Sequence, residues 1–154
     1  MKTPKEKLQA WRAFYEYSAR AQAALECRLR SRSGLSLGEY NILLVLAEAR
    51  EPLRMGQIAD RIVFAPSRLT YVVGNLESRG WLSREPDPVD RRASVVTLTD
   101  LGREVFYAAA APHLADITSL ALDELTDEEA DLLEDVFTRL AGRLDFKTRR
   151  CSVN

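Results

Sequence analysis

Residue types that carry metal and acid–base chemistry are scarce in this chain, which has one histidine, His113, and two cysteines, Cys27 and Cys151, among 154 residues. No CxxC pair and no cysteine–histidine spacing typical of a zinc site occurs, so no metal is expected. Neither a nucleophile–base pairing nor a glycine-rich phosphate loop is visible, which argues against an enzyme and against a bound cofactor. We expect Cys27 to be buried and structural, and Cys151 to be inert.

Long apolar runs and targeting signals are missing as well. No uninterrupted apolar run approaches the roughly 20 residues that a membrane-spanning helix needs. The N-terminal stretch MKTPKEKLQAW has lysines but lacks the apolar segment of a secretory signal. A hydrophobic content of 46% and a charged content of 29% are ordinary for one globular domain. These features predict a cytoplasmic protein with no membrane partner.

Charge is unevenly distributed along the chain, although the formal net charge is only −1. Residues 1–50 carry nine Lys and Arg against five Asp and Glu, and residues 54–92 carry seven against five. Residues 100–145 carry three against twelve, which is typical of solvated helix faces. Nucleic-acid binding requires a local basic surface rather than a basic protein. A nucleic-acid partner would therefore bind the first two thirds of the chain.

Apolar periodicity predicts a mostly helical protein. Ser36 and Glu39 form a capping box at the start of the second helix. Pro66 suits the first position of the fourth helix, and Gly80 suits the position just after its end. Pro112 should kink the fifth helix or break it one turn earlier. The predicted helices cover residues 5–30, 36–47, 55–62 and 66–79, with two more between residues 99 and 144 and a second capping box at Thr126 and Glu129.

The centre of the chain has the pattern of a winged helix. The third helix is short and should bury Ile58, Ala59 and Ile62, and residues 64–66 form a tight turn. The fourth helix is apolar on one side and polar on the other, so the pair is a predicted helix-turn-helix. Residues 81–85 and 93–98 then read as the two strands of a hairpin with a charged loop between them. The predicted fold is mainly α with a small β-hairpin wing.

The sequence of the wing resembles a signature of a known protein family. Asp90-Arg91-Arg92-Ala93, followed by Val96-Thr97-Leu98-Thr99 and Gly102, resembles the D-x-R, L-T, x-x-G signature of the MarR family of bacterial transcription regulators. The resemblance covers almost the whole chain. It implies a DNA-binding winged helix-turn-helix lobe in residues 35–99. It also implies a helical dimerisation region in residues 1–34 and 100–146, followed by a mobile tail in residues 147–154.

Two sets of residues are expected to contact double-stranded DNA. The N-terminal part of a recognition helix enters the major groove, where Arg68 suits a guanine. By the resemblance, Arg92 enters the minor groove, Asp90 positions its guanidinium, and Arg91 meets a phosphate. The recognition-helix residues are Ser67, Arg68, Thr70, Tyr71 and Asn75, and the wing residues are Asp90, Arg91 and Arg92.

The recognition helix departs from the family pattern. Many members have T-R-L-V-D-R-L where this chain has TYVVGNL, so Tyr71 and Asn75 replace arginines and Gly74 replaces an aspartate. Glycine costs about 1 kcal/mol of helix propensity relative to alanine. We expect the missing side chain at Gly74 to allow close approach by DNA or by another helix. No operator sequence can be transferred from relatives.

The remaining predictions concern a second copy of the chain and a small molecule. The apolar faces of the first and last helices exceed what a winged lobe needs, which favours a homodimer; the predicted interface residues are Leu8, Trp11, Val136, Leu140 and Leu144. Relatives bind aromatic molecules in a cleft beside the DNA-binding lobe; the candidate residues here are Trp11, Arg12, Tyr15, Tyr40 and His113. The function expected is a repressor responsive to a small-molecule effector. A winged-helix protein–protein adaptor is the alternative, and a small helical enzyme is less favoured.

Overall fold

The computed structural model describes residues 3–62 and 66–143, with all of their side chains except those of residues 66 and 67. The described residues form six α-helices and a three-stranded antiparallel sheet, which confirms the predicted mainly helical winged fold. The helices are α1 (Pro4–Ser33), α2 (Leu37–Glu48), α3 (Met55–Arg61), α4 (Pro66–Ser78), α5 (Asp100–Leu120) and α6 (Asp127–Ala141), and the strands are β1 (Leu53–Arg54), β2 (Leu82–Pro86) and β3 (Ser94–Leu98).

Local signals in the sequence explain where the helices begin and end. Ser36 and Thr126 cap α2 and α6 through the predicted boxes, and Thr3 caps α1 in the same way with Glu6. The α1 helix therefore starts at Pro4 and continues to Ser33, where Gly34 ends it with φ 71°. A left-handed conformation of this kind suits glycine because it has no Cβ. Residues 64 and 65 of the predicted turn lie outside the described residues, and Pro66 begins α4.

The chain divides into two compact units, Met1–Ile117 and Thr118–Asn154. The first unit contains the hydrophobic core, with α2 at its centre. Five residues of α2 are buried, so this helix is apolar on nearly all sides and other elements pack around it. The core side chains with almost no exposure are Leu35, Ile42, Leu43, Ile58, Leu69, Val73, Leu76 and Val96. In α3, Ile58 is buried and Ala59 only half-buried, while Ile62 follows the helix and is buried.

The sheet has the strand order β1-β3-β2. The wing strands pair from Leu82 opposite Leu98 to Pro86 opposite Ser94, close to the predicted hairpin. The strand β1 has no counterpart in the sequence analysis, and its Leu53 pairs with Val96 of β3. Two residues are too few to show an alternating pattern, and so short a strand forms only because β3 supplies its hydrogen-bonding partners.

The α5 helix excludes one of the two outcomes predicted for Pro112, a break in the helix. It continues through Pro112 to Leu120 instead of breaking a turn earlier, and both Ala109 and His113 on either side of the proline are buried. The segment Asp100–Glu124 is also long and apolar enough, by composition alone, to cross a membrane, although no uninterrupted apolar run was found. Such composition is weak support for a span because core helices share it. One face of α5 belongs to the core, and Asp116 is buried in an ion pair.

A close approach between two backbones joins the wing to α5. A Cβ atom at Gly102 would overlap the carbonyl oxygen of Trp81. The same carbonyl accepts a hydrogen bond from the Thr99 amide at 3.1 Å. The Thr99 hydroxyl donates to the Gly80 carbonyl at 2.7 Å and accepts from the Gly102 amide at 3.0 Å. The glycine of the x-x-G motif is therefore required by packing.

Gly74 is in a different environment. Nothing in the described structure lies within 4 Å of the position that a Cβ atom would occupy there, so no other helix of this chain approaches it. The expected close helix contact is absent from the described residues, and only the expectation for DNA stays a prediction.

The two glycines should respond oppositely to alanine. Gly102→Ala should lower the free energy of unfolding by at least about 1–3 kcal/mol, because the new methyl group overlaps the Trp81 carbonyl. Gly74→Ala should raise it by up to about 1 kcal/mol, because alanine favours the helix and the space is open. Urea unfolding of both variants measures the difference. A Gly102→Ala protein as stable as the wild type would contradict the packing argument.

Candidate nucleic-acid interface

The exposed face of α4 carries most of the predicted DNA-reading residues. Leu69, Val73 and Leu76 are buried on the opposite face. Arg68 and Thr70 are exposed, and the Tyr71 side chain is 69% exposed. Asn75 is half-buried, and the side chain of Ser67 lies outside the described part. The structure thus places Arg68, Thr70 and Tyr71 together on a solvent-facing surface near the start of α4.

The C-terminal end of α4 is tied to α2 by a contact that the sequence does not reveal. Arg79 follows α4, and its Nη1 donates to Oε1 of Glu39 at 3.1 Å. The Arg79 guanidinium also lies 3.7 Å from the centroid of the Trp81 ring. Glu39 uses its other oxygen in the capping box of α2. The capping box was predictable from spacing, but the pairing with a residue 40 positions away was not.

The wing tip is an ordered turn that exposes both arginines. Arg91 and Arg92 are exposed between β2 and β3. The Asp90 carboxylate accepts a hydrogen bond from the Arg92 amide at 3.1 Å, and the Asp90 carbonyl accepts from the Ala93 amide at 2.9 Å. Among the described residues the Arg92 guanidinium has no ion-pair partner. Asp90 was expected to contact the guanidinium of Arg92. In the structure it contacts the main-chain amide of Arg92 instead.

A second aspartate of the wing, Asp87, was missed. It is buried, and its Oδ2 accepts from Nε of Arg54 at 2.5 Å. Its Oδ1 accepts from the amides of Val89 and Asp90 at 2.7 and 3.0 Å. The Arg54 hydrogen bond and these two amides lower the pKa of Asp87 from 3.8 to about 2. Its distant partner gives no local sequence signal; only its position between two prolines sets Asp87 apart.

The predicted ligand-cleft residues fall into two groups. Tyr40 and His113 are both buried, with ring centroids 4.4 Å apart. Trp11 and Tyr15 are exposed near the start of α1, and Arg12 pairs with Glu16 at 3.4 Å. The structure therefore brings Tyr40 and His113 together but does not bring the three α1 residues to them within the described subunit.

An open groove of about 990 Å³ lies beside α4. Its lining comes from α1, α2, α4, α5 and the end of α3, and includes His113 together with Arg68 and Tyr71. In the described structure Nδ1 of His113 has no hydrogen-bond partner. Burial lowers the pKa of His113, and the nearby Asp116 carboxylate opposes this in part. The groove thus places a neutral imidazole near two predicted DNA-reading side chains.

The helices α1 and α5 are joined by a buried carboxylate that the sequence did not single out. Asp116 accepts from Arg28 at 3.2 Å and from Arg32 at 2.8 Å. Both arginines are partly exposed, so their outer donors remain hydrated while the carboxylate is covered. No group of three or more His, Cys, Asp or Glu in the described ranges is arranged to hold a metal ion.

The expectation for Cys27 is wrong, because the residue is exposed. Cys27 lies two positions from Leu25 and from Leu29, which is buried. Two residues span about 200° around a helix, so the cysteine is on the opposite side. Cys151 lies outside the described residues.

Comparison with known proteins places these features in one family. A sequence model of the MarR family matches residues 33–93. The HTH-type transcriptional regulator MhqR of Bacillus subtilis is 30% identical over 110 residues, which cover 71% of this chain and 74% of that protein. The expectation of a transcription regulator rather than an enzyme is confirmed by these relatives.

Solved structures agree along nearly the whole length. Sco3205, a MarR family transcriptional regulator from Streptomyces coelicolor in complex with DNA, is 31% identical with a TM-score of 0.88. The match covers 94% of this chain and 91% of that one. AbsC, another MarR family regulator from that organism, is 28% identical with a TM-score of 0.84, covering 92% and 95%.

The environment of His113 predicts its titration. Burial should hold its pKa below the ordinary value of 6.5. The unfolded chain then binds the proton more readily, so the free energy of unfolding should fall as the pH drops below 6.5. Because the chain has one histidine, an NMR titration follows a single imidazole. Asp116→Asn should lower the pKa further by removing a nearby negative charge, and a midpoint at or above 6.5 in the wild type would refute the assignment.

Proposed function

Because this chain belongs to the MarR family of transcription regulators, we propose that it is a dimeric, sequence-specific repressor that a small aromatic ligand releases from a pseudo-palindromic operator. One observation carries the proposal: α4 and the wing, two elements of one lobe, both present arginines to solvent. A protein–protein adaptor would have no need for exposed Arg68, Arg91 and Arg92 in that arrangement. Such a regulator acts on chromosomal DNA, so we propose a cytoplasmic location.

In this proposal α4 reads the major groove. Arg68 is exposed near the start of α4, where a guanidinium can reach O6 and N7 of a guanine. Thr70 and Tyr71 lie on the same surface, and Ser67 and Asn75 complete the proposed set. Sco3205, at 31% identity, was solved in complex with DNA, which supports double-stranded DNA as the partner.

The wing reads the minor groove. A guanidinium is weakly hydrated and always charged, so Arg92 suits a narrow groove of strongly negative potential. Arg91 meets a phosphate and adds affinity without sequence preference. The contact between Asp90 and the Arg92 amide supports a role for Asp90 in ordering the backbone that carries Arg92.

The dimer is supported by apolar surface on α1 and α6. Leu8 and Trp11 of α1 are more than half exposed, and the same is true of Leu132 of α6. Exposed large apolar side chains on a helix are typical of an interface with another chain. We propose residues 1–34 and 100–146 as the dimerisation region and residues 35–99 as the DNA-binding lobe. Val136 is half-buried and Leu140 exposed, whereas Leu144 and the proposed tail lie outside the described residues.

The effector site is the groove beside α4. His113 lines this groove and offers a polar anchor, and Tyr40 packs against its ring without lining the groove itself. Arg68 and Tyr71 also line this groove, so an occupant would contact side chains that we assign to DNA. Repression follows from a dimer that covers its operator and keeps other proteins from the same DNA. Trp11, Arg12 and Tyr15 stay candidates for ligand contact.

Dimerisation can be tested on α6. Light scattering at micromolar concentration should give about twice the 17.4 kDa chain mass. Val136→Lys and Leu140→Lys should weaken both self-association and DNA binding, because paired recognition helices must sit about one helical turn, roughly 34 Å, apart. Thr138→Lys is a matched control, since this exposed residue points away from the other two. A wild-type monomer at these concentrations would rule out the proposed dimer.

Selection of bound fragments from random DNA tests the function as a whole. The wild type should enrich an inverted repeat with A·T-rich flanks. Arg92→Ala should keep the half-sites but lose the flank preference, because the narrow minor groove no longer attracts it. Arg91→Ala should lower affinity equally for all DNA sequences. It should also reduce the slope of log affinity against log salt concentration by about one unit. Failure of the wild type to enrich any fragment would favour the adaptor, and an unchanged flank preference in Arg92→Ala would make the wing a plain charged loop.

A further inference from the structure

The most deeply buried polar contact of the wing does not involve the arginines assigned to DNA. The side chain of Asp87 is 7% exposed, although it sits in a loop between two prolines. A buried carboxylate is costly unless it is paired and hydrogen-bonded. Asp87 meets both conditions, since Arg54 pairs with one oxygen and two main-chain amides donate to the other. A carboxylate in a solvated loop would need neither an ion-pair partner nor main-chain hydrogen bonds.

The partner of Asp87 is anchored outside the wing. Arg54 belongs to β1 and pairs with Val95 of β3. It directly precedes α3, and its amide donates to the Gln57 side chain at 2.8 Å. Arg54 is therefore held by the sheet on one side and by the first helix of the helix-turn-helix on the other. The ion pair connects this junction to the turn at the wing tip.

Hydrogen bonds continue from Asp87 to the arginine assigned to the minor groove. Asp87 accepts from the amides of Val89 and Asp90. Asp90 in turn accepts from the amide of Arg92 at 3.1 Å. The contacts from Arg54 to Asp87, Asp90 and Arg92 set the backbone path of the loop.

We propose that Arg54 and Asp87 are positioning residues for DNA recognition, which hold the wing tip so that Arg92 meets the minor groove at a fixed distance from α4. This inference rests on the proposed function, because it assumes that the wing contacts DNA. The pair also neutralises a carboxylate that is buried within the wing. With a pKa of about 2, Asp87 stays ionised and paired throughout the pH range of a cell.

The rival explanation is that Arg54 itself contacts a phosphate, since its side chain is 46% exposed. The two explanations predict opposite changes in DNA affinity when Asp87 loses its charge. Removing a negative charge near DNA should tighten binding if only electrostatics matter, whereas loss of a positioning contact should weaken it. They also differ in sequence dependence, because a lost phosphate contact lowers affinity evenly over all sequences.

The experiment compares Asp87→Asn, Arg54→Ala, Arg54→Lys and the double variant Arg54→Ala/Asp87→Asn. Arg50→Ala, an exposed arginine just before β1, is the control for loss of one positive charge. Amide hydrogen exchange at Val89, Asp90 and Arg92 is measured on the free proteins. Affinity is measured for the inverted repeat recovered by selection, with A·T-rich or G·C-rich flanks and at two salt concentrations.

Asp87→Asn and Arg54→Ala should each speed exchange at the three wing amides and weaken binding to the A·T-flanked repeat by about tenfold, as for one partly screened charged hydrogen bond. On G·C-rich flanks the loss should be about twofold or less, because the wing contributes less there. The double variant should bind DNA no more weakly than the weaker-binding single variant, because the two single substitutions remove the same contact. Arg54→Lys should recover only part of the affinity that Arg54→Ala loses on the A·T-flanked repeat. Arg50→Ala should lose the same affinity on A·T-rich and G·C-rich flanks.

Tighter binding by Asp87→Asn, or an undiminished A·T preference in both single variants, would overturn the inference. Full recovery by Arg54→Lys would assign Arg54 to a phosphate. These results differ from failure of the proposed function, in which the wild type itself binds no DNA or shows no flank preference. If circular dichroism shows that Asp87→Asn does not fold, Arg54→Ala and Arg54→Lys decide the matter, because they leave the Asp87 side chain itself unchanged.

Discussion

The main-chain carbonyl of Trp81 lies so close to Gly102 that no side chain fits between them, and the winged lobe is organised around that contact. Three segments meet there: the end of α4 through Gly80, the end of β3 through Thr99, and the first turn of α5 through Gly102. The ring of the same tryptophan lies under Arg79, which pairs with Glu39 at the start of α2. The helix α4 and the wing are therefore held from one point, and a shift in either changes the spacing of the two surfaces that we propose contact DNA.

Three buried polar residues of the first unit, Asp87, Asp116 and His113, have different environments. Asp116 joins α1 to α5 through two arginines, and Asp87 joins the wing to β1 through one. Each carboxylate is covered while the arginines stay partly hydrated, which limits the cost of removing charge from water. His113 differs from both, since its buried Nδ1 lacks a hydrogen-bond partner in the described structure and the residue lines an open groove. The two buried carboxylates are thus paired, whereas the unpaired imidazole belongs to a residue that lines the groove where a ligand is proposed.

The recognition surface has few formal charges. Tyr71 and Asn75 stand where relatives often have arginines, and Gly74 leaves open space on α4. With less charge on the helix, a larger share of the electrostatic attraction falls to Arg68 and to the wing arginines. A wing that carries this share must be placed accurately, which gives the Arg54–Asp87 pair its importance. The groove shares Arg68 and Tyr71 with this surface, so ligand and DNA would draw on the same side chains.

Interactions between residues close in the chain could be predicted from the sequence, and those between distant residues could not. Capping boxes at Ser36 and Thr126, the helix ends at Gly34 and Gly80, and the hairpin wing all depend on neighbours within a few positions, so residue type and spacing specify them. The family signature likewise marked Asp90, Arg91 and Arg92, but not that Asp90 binds a main-chain amide. The tertiary structure alone decided the strand β1 and the distant partners of Asp87, Asp116 and Glu39. An ion pair such as Arg54–Asp87 joins residues 33 positions apart, and no local pattern records which two charges the folded backbone will bring within 2.5 Å.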